Sequence, residues 1–148
     1  MKTFITNSKE ETIELGYRLM EKMPKDMKVI LLNGDLSSGK TTFTKGIAKA
    51  LGIKQIVNSP TFTILKIYQG DKTLYHLDLY RMHDVGTDFD LEEYINDRSG
   101  VAVIEWPHQV DELLPLRYVE VDLTWLDENQ RKIEIKSIGD DGKWVLSL

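Results

Sequence analysis

Gly34 and Gly39 stand with four residues between them in Asn33-Gly34-Asp35-Leu36-Ser37-Ser38-Gly39-Lys40-Thr41-Thr42, and a lysine and two threonines follow directly. A loop that wraps an anion must turn its backbone N–H groups inward, which requires backbone angles and close approaches that glycine tolerates best. Gly-x4-Gly-Lys-Thr is the pattern of such a phosphate-binding loop, and its credibility depends on context. Here the context agrees: the apolar run Val29-Ile30-Leu31-Leu32 precedes the loop, and Lys40 to Leu51 reads as a helix stopped by Gly52. A helix starting near Gly39 and Lys40 aims unpaired N–H groups and the positive end of its dipole at the anion. The expected nucleotide contacts are Gly34, Asp35, Leu36, Ser37, Ser38, Gly39, Lys40, Thr41 and Thr42. Lys40 is expected to reach the β and γ phosphates, and the Thr41 hydroxyl to take magnesium.

Hydrolysis also needs carboxylates near the metal and the attacking water. Glu105 closes the apolar run Val101 to Ile104, a candidate to bind magnesium or orient water. Asp78 closes Leu74-Tyr75-His76-Leu77, a candidate for the metal shell. Each has a plainer alternative as a surface acid at a strand end. In Asn58-Ser59-Pro60-Thr61 the proline restricts Ser59 to extended conformations. Thr61 is therefore a candidate switch hydroxyl sensing metal or γ-phosphate, although loops of this composition are usually only loops. His76, His83 and His108 lack helix-spaced ligand pairing and read as structural rather than as zinc ligands. Trp106 reads as core, and Arg81 as an exposed or ion-paired arginine.

The elements that must hold these groups follow from periodicity. A short strand is expected near Thr3 to Thr6. Ser8 then N-caps a helix, with Glu11 in capping-box position and Ile13, Leu15, Leu19 and Met20 as its apolar face, ending before Pro24. Met27 to Leu32 has the continuous apolar character of a strand covered on both faces. Thr61 to Tyr68 and Thr73 to Leu79 flank the turn Gln69-Gly70-Asp71 and predict a hairpin. A short helix is expected near Phe89 to Asn96, and a second buried strand over Val101 to Ile104. Tyr118 to Thr124, Lys132 to Lys136 and Lys143 to Leu148 alternate, with Asp141-Gly142 as a hairpin turn, predicting antiparallel additions to a parallel centre. The fold class is thus α/β: a sandwich of phosphate-loop NTPase type, its central mostly parallel sheet carrying antiparallel hairpin additions and flanking helices.

Composition bounds the rest. The 148 residues predict one domain over 1–148, and 41% apolar with 29% charged residues is the balance of an ordinary globular chain. The absence of cysteine removes disulfides, thiolate metal sites and cysteine nucleophiles. A formal net charge of -5 argues against a broad basic surface gripping nucleic acid directly. The first residues lack the apolar core of a signal peptide, and no apolar stretch approaches the ~20 residues of a membrane span. A cytoplasmic protein is expected.

Four segments taken together are similar to one family. Gly34 to Thr42, Ser59-Pro60-Thr61-Phe62, His76-Leu77-Asp78-Leu79-Tyr80-Arg81 and Ile104-Glu105-Trp106-Pro107 resemble, in order and spacing, the bacterial TsaE (YjeE-type) ATPases that support threonylcarbamoyladenosine synthesis in tRNA. The resemblance runs from Ser8 to about Leu123. It implies an ATPase using ATP/ADP and Mg2+, slow alone and working with the transferase TsaD and its companion TsaB, so that tRNA is met only through the complex. Carried over residue by residue, Thr41, Asp78 and Glu105 bear on magnesium and hydrolysis, with Thr61 in the switch. One departure stands out: the family loop usually reads Gly-Asp-Leu-Gly-Ala-Gly-Lys-Thr-Thr, whereas Ser37 and Ser38 replace the inner Gly-Ala here. A glycine-like angle at Ser37 would carry strain of order 1 kcal/mol and weaken nucleotide binding.

Two other classes share the loop. A small-molecule kinase would transfer the phosphate to an acceptor, but only Arg81 and Arg98 lie between the loop and Glu105 to build a lid. A non-hydrolysing module would use occupancy alone to control docking. A GTPase is disfavoured by the lack of an Asn-Lys-x-Asp guanine-reading segment.

Overall fold

The computed structural model describes residues 1–35, 37–58, 65–78, 91–95, 97, 99–105 and 114–148. Expectations resting on Leu36, Ser59-Pro60-Thr61, Leu79 to Arg81, His83, Arg98, Trp106 and His108 lie outside them.

Seven strands form one sheet: β1 (Lys2–Thr6), β2 (Val29–Asn33), β3 (Leu65–Tyr68), β4 (Thr73–Asp78), β5 (Gly100–Glu105), β6 (Tyr118–Trp125) and β7 (Arg131–Ile138). Their order across the sheet is β1-β7-β6-β2-β5-β4-β3. The pairs β4/β5, β5/β2 and β2/β6 are parallel, and β1/β7, β7/β6 and β4/β3 are antiparallel. The parallel centre thus carries antiparallel margins on both sides.

Helix α1 (Lys9–Lys22) starts where the capping residues dictate. The Ser8 Oγ accepts from the Glu11 N–H at 3.1 Å, and the Glu11 carboxylate reaches back to the Asn7 N–H at 3.3 Å. Helix α2 (Lys40–Ala50) packs beside it on the same face of the sheet. The two backbones touch at glycines: a Cβ on Gly46 would stand 1.9 Å from the Ile13 carbonyl oxygen, and one on Gly16 would stand 2.3 Å from that of Phe43. Their apolar side chains, among them Leu15, Leu19, Phe43 and Ile47, close over Ile30, Leu32, Leu74, Val101, Val103, Val119 and Val121. On the opposite face Ile95 of α3 (Leu91–Ile95) joins Val29, Leu31, Leu77, Ala102 and Ile104 in a smaller core. β2 and β5 are therefore covered on both sides, which is why they read as unbroken apolar runs.

Two expectations are corrected. Tyr118–Trp125 alternates as expected, but it lies parallel to β2 and antiparallel only to β7, so it belongs to the parallel centre. Lys143 to Leu148 is not a strand, and Asp141-Gly142 is not a hairpin turn. Lys143–Ser147 forms a 3₁₀ helix entered through Gly142 at φ 69°. The reason is topological: both edges of β7 are already occupied, by β1 and β6, so no place beside it remains. The segment folds back instead, burying Val145 and donating the Trp144 indole N–H to Ser137 Oγ at 3.1 Å and Asp140 Oδ2 at 3.2 Å.

Among the described residues, no helix is long and apolar enough to cross a membrane.

Candidate active site

The C-terminal ends of the parallel strands bring the predicted groups together. β2 ends at Asn33, whose amide donates to Asp122 Oδ1 at 2.9 Å and Glu120 Oε1 at 3.1 Å, tying it to β6 before the chain turns into the loop. The loop then takes the angles that an anion cradle needs. Gly34 has φ 157°, Ser37 φ 68° and Gly39 φ 104°. Gly34 is required for space as well as angle, since a Cβ there would meet Ser38 Oγ at 2.5 Å and the Leu123 carbonyl oxygen at 2.7 Å. Gly39 is required for its angle alone: nothing lies within 3.6 Å of its missing Cβ. Ser37 is the one described non-glycine residue at positive φ.

Gly39 caps α2 with no side chain of its own to bond the helix, and the first turn holds no acid, so the positive end of that dipole faces the loop. Thr41 and Thr42 stand in that first turn, both half-buried. Ser38 is buried, and its hydroxyl has no hydrogen-bond partner among the described residues. A helix N-terminus behind a loop with positive angles at Gly34, Ser37 and Gly39 and a buried hydroxyl at Ser38 fits a phosphate chain.

Lys40 is 6% exposed. Its ammonium donates to the Gly34 carbonyl oxygen at 2.8 Å and stands 3.8 Å from Glu105 Oε1, so the cation lies across the loop's own mouth. Burial draws its pKa below the usual lysine value, while the carboxylates of Glu105, Asp78 and Asp35 pull the other way.

The two predicted acids are neighbours. β4 and β5 run in register, with Asp78 opposite Glu105 and His76 opposite Val103. Residues two apart on a strand share a face, so His76, Asp78, Val103 and Glu105 all point to the side occupied by α2. Asp78 also acts electrostatically on Lys40, which places all three predicted catalytic groups in one cluster. Glu105 is 3% exposed, and its second oxygen, Oε2, lies 2.5 Å from Nε2 of His76, itself wholly buried.

His76, read from the sequence as structural rather than as a zinc ligand, is buried against Glu105, a contact the sequence reading did not foresee. The signal was its parity with Asp78: any register that sets Asp78 beside Glu105 puts the imidazole on the same face. Asn33 was likewise passed over, because its partners are about 90 residues away.

Among the described residues no three His, Asp or Glu side chains converge into a self-sufficient metal cage. Asp78 and Glu105 stand opposite each other at the strand ends, and Thr41 lies in the first turn of α2; oxygen donors of this kind could hold an ion completed by phosphate oxygens and water. Beside the loop a groove of about 420 Å³, lined in part by Asp35, Asp122 and the half-exposed Trp125, opens to solvent.

Comparison with known proteins gives concordant results. A family model described as "Threonylcarbamoyl adenosine biosynthesis protein TsaE" matches residues 6–133. The tRNA threonylcarbamoyladenosine biosynthesis protein TsaE of Bacillus subtilis (strain 168) is 43% identical over 136 residues, covering 91% of this chain and 85% of that relative. The proteins of the same description from Aquifex aeolicus and Treponema pallidum are 39% and 37% identical, covering 91% and 88% of this chain and 96% and 97% of theirs. Among solved structures, the crystal structure of "Bacillus subtilus YdiB" is similar with a TM-score of 0.77 at 35% identity, covering 99% of this chain and 90% of that one.

Proposed function

The chain belongs to the TsaE family, and from that premise and the cluster at the strand ends we propose that it is a magnesium-dependent ATPase serving threonylcarbamoyladenosine synthesis in tRNA. The observation that carries the reading is the meeting of Lys40, Glu105 and Asp78 at the mouth of the loop Gly34 to Thr42.

Each residue's part follows from its position. The loop amides and the first turn of α2 bind the phosphate chain, and Lys40 exchanges its bond to the Gly34 carbonyl for a phosphate oxygen. That exchange relieves a buried cation of a weak partner in favour of a charged one. Thr41 and Asp78, with Glu105, would hold magnesium, which would neutralise charge on the terminal phosphates. Glu105, held on one side by Lys40 and on the other by His76, orients the attacking water. Hydrolysis resets the TsaB–TsaD complex, so that turnover depends on those partners and tRNA is contacted only through them. Thr61 is the switch hydroxyl that senses nucleotide state.

A kinase would need an acceptor, so phosphate release without one separates the two readings. Measured with the partners present, Glu105→Gln is expected to keep ATP binding within about threefold while turnover falls about 100-fold or more. An unchanged rate removes Glu105 from the chemistry.

A further inference from the structure

The wholly buried His76 lies on β4 with Nε2 2.5 Å from Glu105 Oε2, while Glu105 Oε1 faces Lys40 at 3.8 Å. A carboxylate oxygen only accepts, so Nε2 carries the hydrogen and donates it. The other ring nitrogen, Nδ1, is buried without a partner among the described residues. That is an unusual expense for a histidine serving only to fill the core, where an apolar residue of similar volume would strand no polar atom. Among the described residues, the ring's hydrogen bond goes to the acid.

The geometry points to a positioning role for His76, and this rests on the ATPase reading above: we infer that the imidazole pins Glu105 Oε2 so that Oε1 is presented to the phosphate side of the cluster. A glutamate has three side-chain torsions, so its carboxylate keeps one orientation only where something holds it. Lys40 is a poor restraint, because it is committed to Gly34 at 2.8 Å and will turn to phosphate when nucleotide binds. His76 is the better one, since the sheet register fixes its backbone opposite Val103 and the core fixes its ring. It touches no reacting atom in this arrangement and acts through Glu105, as outer partners of catalytic groups do.

The test compares His76→Leu, His76→Asn and His76→Gln with the wild type, in the full complex with the TsaB and TsaD partners and magnesium. Gln can place its amide N–H near the position of Nε2; Asn reaches only as far as Nδ1, and Leu donates nothing. The expected result is that kcat falls 10- to 100-fold in Leu and Asn while the ATP Kd, read by titration calorimetry, stays within about threefold, and that Gln restores kcat to within a few fold. Should Leu fail to fold by circular dichroism, the Gln and Asn pair still decides. Equal turnover in all variants overturns the inference, as does equal loss in Gln and Asn, or a loss of ATP affinity matching the loss of kcat. A readout independent of turnover is the His76 side-chain 15N spectrum, expected to show the Nε2–H tautomer and to shift in Glu105→Gln; an Nδ1–H tautomer contradicts the contact. Absent turnover in the wild-type complex overturns the ATPase reading itself and the inference with it, whereas a normal wild type with indifferent His76 variants sinks the inference alone.

Discussion

Ser37→Gly should stabilise the protein although it removes a side chain. Ser37 sits at φ 68°, where an L-residue's Cβ crowds the following carbonyl oxygen and costs about 1 to 2 kcal/mol. Glycine removes that cost but gives the unfolded chain more freedom, worth about 0.4 to 1 kcal/mol in the opposite direction. The difference leaves a net gain of about 0.5 to 1 kcal/mol. For a chain of 148 residues this raises the melting temperature by about 1.5 to 4 °C. Ser37→Ala keeps the Cβ and the strain, so it should melt within about 1 °C of the wild type. That control separates the backbone effect from the lost hydroxyl. Differential scanning calorimetry of the three proteins, with urea denaturation as a second measure, reads the effect directly. A Gly variant that melts below the wild type would refute the reasoning, since the strain would then be smaller than the entropy that glycine adds. ATP affinity should rise in parallel, because glycine also frees the loop to close on phosphate.

Gly46→Ala forces a methyl to within 1.9 Å of the Ile13 carbonyl oxygen and must push α1 and α2 apart; a loss of about 2 to 3 kcal/mol by urea denaturation is expected. Asp140 supplies a pH test. The Ser137 hydroxyl, then the Gly142 N–H, Arg117 and the Trp144 indole, hold its carboxyl below the usual carboxylate value. A folded value depressed in this way adds stability above the unfolded pKa of about 3.9 and loses it as pH falls through the folded value. Asp140→Asn should therefore cost about 1 kcal/mol near neutral pH, after allowance for solvent screening, and the gap from the wild type should close below about pH 4 in urea titrations at stepped pH. Tyr75 gives the opposite edge: its bond to Asp97 pushes the phenol up to about 12, so the stability it adds below about pH 10 disappears as pH rises toward that value, and Tyr75→Phe should show no such alkaline loss by spectrophotometric titration with circular dichroism.

The loop was legible in the sequence because its chemistry is local: glycine spacing, lysine and threonine all lie within ten residues of one strand end. α1 was legible for the same reason, since Ser8 and Glu11 set its start without help from the rest of the chain. That Asp78 and Glu105 each close a strand was readable, but that those strands are neighbours in register is a property of the sheet, not of either segment. The contact between His76 and Glu105 was missed on that account, as was the use of Asn33 to lock β2 to β6. The C-terminal misreading has the same origin. Alternation at Lys143 to Leu148 is genuine, but whether it pairs back as a hairpin depends on a free place beside β7, and β1 had already taken it.

Phosphate release from ATP, measured for the wild type and Lys40→Ala with and without the TsaB and TsaD partners and magnesium, tests the central claim most directly. The cluster of Lys40, Glu105 and Asp78 predicts release that needs magnesium, rises with the partners, requires no acceptor and disappears in the variant. Release that persists in Lys40→Ala, or its absence from the wild type under every condition, would contradict it.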